Sequence, residues 1–347
     1  MMNTGLIISA IRRRIRRQLH LKAHKETGAL RWGIIGLGNM AQVFADALNG
    51  NSGSVLVAVA SRTKEKALRF AKRNGVENAY ASYEEMLSDD SLNLDVIYIA
   101  TPVNCHYEHI KLCLNAGKNV LCEKPVTEAT SEFLELVALA RERHCFFMEG
   151  MWMKCLPSFQ QAKRWLNDGK IGNLNLIRAD LYKREHIREN LTIFNAQLGG
   201  GVLRDFGVYA IAFAETFIGY PDEIVGQSLF SQYGVDADWQ IYMRQGDIRA
   251  FINLSSGFGS ASKAVLNGDC GSVEFDSQFN RTNTVSLYSK DGTLIETRKF
   301  HYSFDGFEYE INHVNNMIRS GCIESDTVTL NDTADVLRII DRLNNVE

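Results

Sequence analysis

The sequence lacks the patterns that mark several large classes of protein. Its seven cysteines are scattered, with no CxxC spacing and no histidine-rich companion, which argues against a disulfide framework and against a zinc site. No apolar run approaches the roughly 18 to 20 residues of a membrane-spanning helix. No internal repeat or low-complexity linker interrupts the 347 residues. These absences leave a globular protein without a metal site, and we expect it in the reducing cytoplasm.

A strong net charge is also missing, since 38 basic and 41 acidic side chains give a formal charge of −3. No global field favours nucleic acid or an anionic membrane, so we expect small molecules and protein subunits as partners. With 45% hydrophobic residues, the chain has ample material for about two domains at roughly 150 residues each.

One segment departs from this balance. Residues 1–30 carry seven basic side chains against the single acid Glu26, and isoleucine or leucine recurs at every fourth position from 7 to 19. The arginines follow the short apolar stretch GLIISAI, which is the reverse of a secretion signal. The pattern predicts a basic amphipathic helix that lies on anionic lipid or binds a partner subunit, or else an extension without fixed structure.

Strand and helix patterns alternate from residue 30 to about residue 125, and the periodicity predicts each element. The strands are LRWGIIGL (30–37), SVLVAVAS (54–61), LDVIYIAT (94–101) and NVLCEKP (119–125). The helices are MAQVFADALNG (40–50), TKEKALRFAKRNG (63–75) and HYEHIKLCLNAG (106–117). Such alternation predicts a parallel, doubly wound α/β sheet of the Rossmann type.

A glycine-rich loop lies between the first strand and the first helix. Gly36 permits a tight turn, Gly38 lets backbone amides approach a pyrophosphate, and the small Ala41 allows the helix to pack on the strand. The phosphates then face the positive end of the helix dipole. We therefore expect a dinucleotide here, although a structural glycine turn in an unrelated α/β protein is the alternative.

The end of the second predicted strand indicates which dinucleotide is bound. An NAD enzyme usually places an acid there, against the ribose 2′-hydroxyl. This chain reads AVASRTKEKA instead, so Ser61, Arg62 and Lys66 are expected to meet a 2′-phosphate. The prediction is NADP rather than NAD; if Arg62 is an ordinary surface charge, the choice stays open.

After residue 150 the pattern changes to strands that alternate apolar and polar residues, separated by turns such as KDGT and GFGS. Helices are predicted over 158–168, about 200–218, 306–319 and 331–344. This predicts an α+β domain with a large open, mostly antiparallel sheet, whose exposed face is expected to form a homodimer or homotetramer. The predicted organisation is a basic extension (1–29), a dinucleotide-binding domain (30–149) and a domain for substrate binding and oligomerisation (150–347).

Several motifs together resemble one family. GLGNMA, TPxxxH, AGKNVLCEKP, MEGMW and GGGxLxDxGxY are similar to those of the glucose-fructose oxidoreductase, inositol dehydrogenase and MocA family, from about residue 30 to the end. Within it, the chain most resembles the branch of dimeric dihydrodiol dehydrogenases and NADP-dependent xylose dehydrogenases. The resemblance implies a two-domain nicotinamide enzyme that oxidises or reduces a CH–OH group of a sugar, sugar derivative or cyclic diol.

The resemblance also implies which residues perform the chemistry. Lys124 of the EKP motif and Tyr209 are expected to share the proton transfer, with Asp205 binding substrate or orienting them. Asp205 and Tyr209 are four positions apart on a predicted helix, so they project from one face. The family often has histidine at the position of Tyr209, and relatives often have arginine where this chain has Lys154, which lacks the planar fork of guanidinium.

The remaining candidates are expected to contact the cofactor. His106 either borders the nicotinamide or simply begins the following helix, Glu123 has a structural or ribose-binding role, and Trp152 lines the pocket or packs between domains. The complete expected cofactor set is Gly36, Leu37, Gly38, Asn39, Met40, Ala41, Ser61, Arg62, Lys66, Thr101, Pro102, His106, Glu123, Lys124 and Trp152.

Two other functions fit the same fold. Some relatives hold NAD tightly and hydrolyse glycosidic bonds through a transient oxidation, and the second alternative is a noncatalytic sensor that keeps the dinucleotide site. The presence of Lys124, Asp205 and Tyr209 together disfavours the sensor. A hydrolase is expected to purify with bound nucleotide and to act on glycosides without added cofactor.

Overall fold

The computed structural model describes residues 23–183, 192–257 and 259–344, which form two compact units. The first unit contains the chain up to Val126 together with residues 132–152 and 302–326. The second contains residues 127–131, 153–301 and the chain from Thr327 onward. The helix predicted in the basic extension lies outside the described residues.

The first unit is built on a six-stranded sheet. Its strands are β1 (Leu30–Ile35), β2 (Ser54–Ala60), β3 (Asn78–Tyr80), β4 (Val96–Ile99), β5 (Asn119–Glu123) and β6 (Phe147–Gly150). All pairs are parallel, and the order is β3-β2-β1-β4-β5-β6. This is the strand order of dinucleotide-binding sheets, in which ligands bind beyond the carboxyl ends of the strands, where the order reverses between β1 and β4. The predicted Rossmann fold is confirmed.

Helices connect these strands. They are α1 (Asn39–Gly50), α2 (Lys64–Asn74), α3 (Tyr83–Leu87), α4 (His106–Asn115) and α5 (Thr130–Glu142). The apolar face of α1 packs on the sheet, where the ring of Phe44 stacks on that of Tyr98 with 3.7 Å between centroids. That contact fixes the helix whose first turn follows the glycine loop.

The residues before β1 stabilise the other end of α1. The ammonium group of Lys25 donates to the carbonyl oxygens of Leu48, Asn49 and Asn51, at 3.1, 3.3 and 2.7 Å. A helix leaves its last carbonyls without partners inside the helix, and a cation there also interacts favourably with the helix dipole. At least this part of the basic segment therefore has a structural role.

The second unit combines helices with an eight-stranded sheet. In chain order its elements are α6 (Trp152–Cys155, which begins in the first unit), α7 (Pro157–Asn167), β7 (Leu174–Tyr182), α8 (Val208–Ile218), β8 (Glu223–Phe230), β9 (Asp236–Gln245), β10 (Ile248–Ser255), β11 (Ala264–Gly268), β12 (Gly271–Phe275), β13 (Thr284–Ser289) and β14 (Leu294–Lys299). The strand order is β14-β13-β12-β11-β7-β10-β9-β8. Every pair is antiparallel except β7 with β10, which is parallel, so the prediction of a mostly antiparallel sheet is confirmed.

Two helices complete the chain. The first, α9 (Phe307–Arg319), belongs to the first unit, and the second, α10 (Leu330–Asn344), belongs to the second unit. In the first unit, the indole nitrogen of Trp32 donates to Asn315 of α9 at 3.2 Å. Across the described ranges, no helix is both long and apolar enough to cross a membrane.

Candidate functional site

The glycine loop after β1 has the backbone shape that the sequence predicts. Gly36 has φ of +81°, a left-handed conformation that favours glycine. A Cβ atom at this position would lie 2.5 Å from the carbonyl carbon of Ala100 and from the amide nitrogen of Thr101. The turn therefore requires glycine both for its conformation and because the chain after β4 passes so close.

Gly38 lies at the start of α1 and faces open space. A Cβ there would meet no atom of the chain within 4 Å, and neither a capping side chain nor an acid occupies the first turn. Leu37 and Ala41 are buried, whereas Asn39 and Met40 are exposed. The first amides of a helix have no partners inside the helix, and they favour an anion. The loop thus fits a pyrophosphate, which would lie over Gly38 against these amides.

The end of β2 carries positive charge. Ser61 is buried and Arg62 is exposed, as is Lys66 in the first turn of α2. Burial raises the pKa of Tyr83, and the charge of Arg62 opposes that rise. Burial lowers the pKa of His109, and the positive charge of Arg62 lowers it further. Arg62 is therefore close enough to act on both rings, which contact each other edge to face with 4.8 Å between centroids.

The loop after β4 holds three of the expected residues, namely Thr101, Pro102 and His106. His106 is the first residue of α4 and only 1% exposed. Its Nε2 lies 2.8 Å from the carbonyl oxygen of Thr101, and its Nδ1 lies 2.9 Å from that of Pro125. Burial lowers the pKa of His106 to about 4, so the ring is neutral at pH 7. The hydroxyl of Thr101 forms a hydrogen bond with Nδ1 of His109 at 3.0 Å.

Lys124 follows β5 directly and is half-buried, so water reaches part of the side chain that we expect to transfer a proton. Its amide donates to Oε2 of Glu123 at 3.3 Å, and its bond to Pro125 is cis. The carboxylate of Glu123 also accepts a hydrogen bond from the hydroxyl of Tyr98 at 2.5 Å. Glu123 is therefore engaged in a buried network under the strand end, in accord with the structural role considered for it.

Further carboxyl groups lie behind β5. Glu149 of β6 is buried and accepts a hydrogen bond from the amide of Val126 at 3.1 Å. Glu310 of α9 is buried nearby, and its Oε1 atom has no hydrogen-bond partner among the described residues. Burial raises the pKa of Glu310 well above its usual range, and the charges of Glu123 and Glu149 raise it further. Burial therefore favours the neutral form of Glu310 over its carboxylate.

Trp152 lies at the end of the first unit. Its ring stacks on that of Phe307, with 4.6 Å between centroids and 6° between planes, and the side chain is 6% exposed. A contact of Trp152 with the cofactor stays a prediction.

Asp205 and Tyr209 belong to the second unit. Asp205 lies in a π-helical turn, Leu203–Gly207, that leads into α8. Such turns are rare and occur often at functional sites. The carboxylate of Asp205 pairs with the ammonium of Lys183 at 3.6 Å and is part-exposed, whereas Tyr209 is buried. The catalytic roles of both residues stay predictions.

Lys154, where relatives often have arginine, is a buried ion-pair residue of the second unit. Its ammonium lies 3.2 Å from Glu215 and 3.0 Å from Asp332. Burial raises the pKa of Glu215 to about 7, against the opposing charge of Lys154. The two carboxylates engage this ammonium, which gives Lys154 a structural role.

Sequence reasoning did not single out Tyr98, His109 and Glu149. Glu149 stands in the quoted MEGMW motif and His109 three residues after His106, but nothing in their spacing reveals the hydrogen bonds of Glu149 to Val126 and of His109 to Thr101. Tyr98 is the one residue with a polar side chain in the apolar run VIYI, and this is the only signal that pointed to a buried network.

Comparisons with known proteins agree with this geometry. The family model described as an oxidoreductase family with an NAD-binding Rossmann fold matches residues 30–151, and the corresponding C-terminal domain model matches residues 159–274. Among the relatives, the trans-1,2-dihydrobenzene-1,2-diol dehydrogenase of Mus musculus is 33% identical over 311 residues, covering 87% of this chain and 92% of that protein. The Homo sapiens enzyme of that name is 31% identical over 321 residues, covering 89% and 95%.

Solved structures show the same fold. KijD10, a 3-ketoreductase from Actinomadura kijaniata solved with NADP and TDP-benzene, superposes with a TM-score of 0.81 and 25% identity, covering 91% of this chain and 97% of that one. An aldose-aldose oxidoreductase from Caulobacter crescentus shares the fold, with a TM-score of 0.80, 20% identity and coverage of 91% and 96%. With its glycine loop, its strand order and both domain matches, the chain belongs to the Gfo/Idh/MocA family of NAD(P)-dependent oxidoreductases.

Proposed function

We propose that this enzyme transfers a hydride between NADP and the CH–OH carbon of a sugar, a sugar derivative or a cyclic diol. The observation that carries the proposal is the position of Lys124. It follows β5, and the glycine loop follows β1, so both lie at the carboxyl edge of one parallel sheet, on either side of the end of β4. Ligands of doubly wound sheets bind at this edge.

The reaction requires one acceptor for a hydride and one for a proton. Oxidation of an alcohol releases a hydride, which the nicotinamide accepts when the cofactor is bound, and a proton from the hydroxyl group. The neutral amine of Lys124 accepts that proton at Nζ in the oxidation, and the resulting ammonium returns it in the reduction, as a positioned general base and acid. Tyr209 and Asp205 are proposed, on the motif alone, to share this proton transfer and to bind the substrate.

The charge at the end of β2 supports NADP rather than NAD. Ser61 and Arg62 follow this strand directly, and neither carries the carboxylate that a ribose 2′-hydroxyl favours. The guanidinium of Arg62 is exposed and offers a planar pair of donors to a 2′-phosphate. The structure of KijD10 contains NADP, which agrees with this choice.

The names of the relatives support the substrate class. The dihydrodiol dehydrogenases act on a cyclic diol, and KijD10 is a 3-ketoreductase. A cyclic diol and a sugar share a ring carbon that bears a hydroxyl group beside a second hydroxyl. We therefore propose a ring CH–OH group with a neighbouring hydroxyl as the feature that this enzyme recognises.

The open face of the second sheet is proposed as a subunit interface. Val225, Tyr242 and Phe251 lie side by side on β8, β9 and β10, and Val225 and Phe251 are about half exposed. Leu229 and Phe230 extend this apolar area along β8. Contiguous exposed apolar residues on a sheet commonly mark an interface, so we propose a homodimer or homotetramer. We also place the enzyme in the cytoplasm, in accord with its seven free cysteines.

The test is a screen of cofactor reduction. Purified enzyme is incubated with NADP, and in parallel with NAD, and with aldoses, uronates, inositols and dihydrodiols in turn. We expect NADPH to form with at least one of these classes, only when cofactor is added, and faster than NADH. Hydrolysis of chromogenic glycosides without added cofactor, by protein that purifies with nucleotide, would contradict the proposal in favour of the glycosidase reaction.

A further inference from the structure

The peptide that carries Lys124 is anchored at three consecutive residues by three buried side chains, one from the preceding residue and two from neighbouring elements. Glu123 accepts a hydrogen bond from the amide of Lys124, His106 contacts the carbonyl of Pro125, and Glu149 accepts one from the amide of Val126. All three side chains are less than 10% exposed. Such anchoring restrains the backbone from which Lys124 projects.

His106 differs from the other two anchors because it also contacts a second loop. Its Nε2 lies 2.8 Å from the carbonyl oxygen of Thr101, and its Nδ1 lies 2.9 Å from the carbonyl oxygen of Pro125. The imidazole ring therefore spans the loop after β4 and the loop after β5. Because the ring is 1% exposed, water cannot readily replace it between these two oxygens.

The two loops that His106 joins have different tasks in the proposed reaction. Thr101 lies in the loop after β4, which passes close to the pyrophosphate loop. A Cβ atom added at Gly36 would lie 2.5 Å from the backbone of this loop. Lys124 receives the proton from the same CH–OH group that loses the hydride. An error of about 1 Å in such positions can cost about 100-fold in rate.

We propose that His106 is a positioning residue of the reaction, which, as a neutral ring with its one proton on Nδ1, donates a hydrogen bond to the carbonyl of Pro125 and packs against the loop at Thr101, and so holds Lys124 in register with the cofactor-binding loop. This inference rests on the role of Lys124 proposed above. It assigns His106 no contact with the substrate. The side chain acts through the backbone of Pro125, and its effect is therefore on turnover more than on substrate binding.

Two variants separate this role from simple packing. His106→Phe keeps an aromatic ring and removes the hydrogen bond to Pro125, whereas His106→Asn keeps an amide donor near the position of Nδ1 and thus that hydrogen bond. We expect kcat of His106→Phe to fall about 100-fold. We expect His106→Asn to recover most of that loss, and KM to change less than threefold in both. The substrate is the one turned over fastest in the screen.

The control is His313→Phe. His313 is a half-buried histidine of the same unit, and its Nε2 forms a hydrogen bond with Ser325 at 2.7 Å. Loss of an imidazole there removes a comparable contact outside the proposed site, so we expect kcat within twofold of the wild type. If His106→Phe does not fold, the comparison of His106→Asn with the wild type and with this control carries the test.

A double-mutant cycle connects His106 to Lys124. If His106 acts through Lys124, His106→Asn and His106→Phe cause little further loss in a Lys124→Met background. An equal loss in both backgrounds would overturn the inference, and so would wild-type kcat in His106→Phe. Full turnover by Lys124→Met alone is a different result, because it refutes the proton transfer proposed above and removes the basis for a positioning role.

Discussion

Arg62 is the single residue on which the choice of cofactor depends most. It follows β2, is exposed, and exerts its charge on Tyr83 and His109. If its guanidinium binds the 2′-phosphate, Arg62→Ala removes charge-assisted hydrogen bonds that contribute about 1.5–3 kcal/mol. We expect the Kd for NADP to rise about 10- to 100-fold and the Kd for NAD to stay within twofold, as measured by fluorescence titration.

The matched control for Arg62 is Arg69→Ala. Arg69 is an exposed arginine further along α2, so its removal changes the net charge equally. A similar loss of NADP affinity in both variants would mean that only a general electrostatic attraction is involved. In that case the selectivity assigned to Arg62 is wrong.

The buried group formed by Lys154, Glu215 and Asp332 makes stability depend on pH. The pKa of Glu215 is raised to about 7 by burial, so the folded protein binds a proton here that the unfolded chain releases near pH 4.5. The contribution of this carboxyl group to stability is present below pH 4.5 and is lost as the pH rises through 7. Glu215→Gln removes this dependence.

We therefore compare the free energies of unfolding of Glu215→Gln and the wild type at pH 5 and at pH 8. From pH 5 to pH 8 we expect the difference to change in favour of the variant by up to about 3 kcal/mol. Urea denaturation at the two pH values measures this change. Lys154→Met leaves the buried Glu215 and the half-buried Asp332 without their cation and is expected to lose about 3–5 kcal/mol at pH 8. A constant difference between Glu215→Gln and the wild type at both pH values would refute the assignment.

At the scale of elements, the loop between β1 and α1 makes two glycines differ in a testable way. A Cβ at Gly36 overlaps the backbone at Ala100 and Thr101, and φ is +81°. We expect Gly36→Ala to lower the free energy of unfolding by at least about 1–3 kcal/mol. A Cβ at Gly38 meets no atom of the chain, so we expect Gly38→Ala to leave the Tm unchanged and to weaken NADP binding at least tenfold.

Thermal unfolding and NADP titration of the two variants separate the roles of the glycines. Because Gly38→Ala adds only a methyl group over the space assigned to the pyrophosphate, an unchanged Kd for NADP in this variant means that the phosphates bind elsewhere. An unchanged Tm in Gly36→Ala would contradict the close approach of the two loops.

Most elements were predictable from periodicity, although α3 and α5 were not among the predicted helices; the other exceptions have physical reasons. β3 and β6 have three and four residues, too few to display a repeat of two, and β11 ends in the polar pair Asn267–Gly268. The parallel pairing of β7 with β10 depends on contacts between residues some 70 positions apart, as does the bond from Asn253 to Asp180. The π-helical turn at Leu203–Gly207 reads in sequence as an ordinary helix start.

The site was predictable where a motif carries it. The glycine loop, Lys124 and Arg62 lie at the strand ends that the sequence indicated. The hydrogen bonds that support the site were not predictable, because His106 and Glu149 contact backbone atoms of another loop, at Pro125 and Val126. A hydrogen bond to a backbone group does not depend on the side chain of the residue that supplies the group. No pair of residue types in the sequence therefore reveals it.

At the scale of the whole molecule, the contacts that close the first unit come from far along the chain. Asn315 of α9 receives a hydrogen bond from Trp32, 283 positions earlier, and Phe307 stacks on Trp152. Residues 302–326 therefore pack with the dinucleotide-binding unit, although they follow the whole second sheet in sequence. Such long-range packing has no local signal.

The open face of the second sheet leads to a prediction about assembly. Phe251 is 45% exposed, and its ring contacts that of Tyr242 with 5.3 Å between centroids. An aspartate in its place would bury a charge in any interface formed by this face. We expect Phe251→Asp to shift the enzyme to monomers in sedimentation experiments. Leu294 is an exposed apolar residue on the opposite edge strand, and we expect Leu294→Asp to keep the oligomeric state of the wild type.

A wild-type sedimentation coefficient for Phe251→Asp would show that this face is not the interface. A monomeric wild type would contradict the proposal of an oligomer altogether. The folded state of each variant is checked by its Tm, because the substituted side chains are exposed and are not expected to contribute to the core.

Lys124 is proposed to move the proton of an NADP-dependent oxidation at the carboxyl edge of the parallel sheet. The most direct measurement is kcat of Lys124→Met at saturating NADP, with the substrate that the wild type turns over fastest. General acid–base catalysis contributes about 10²- to 10⁴-fold, so we expect a loss in that range with a Tm near that of the wild type. Turnover equal to that of the wild type would contradict the proposal.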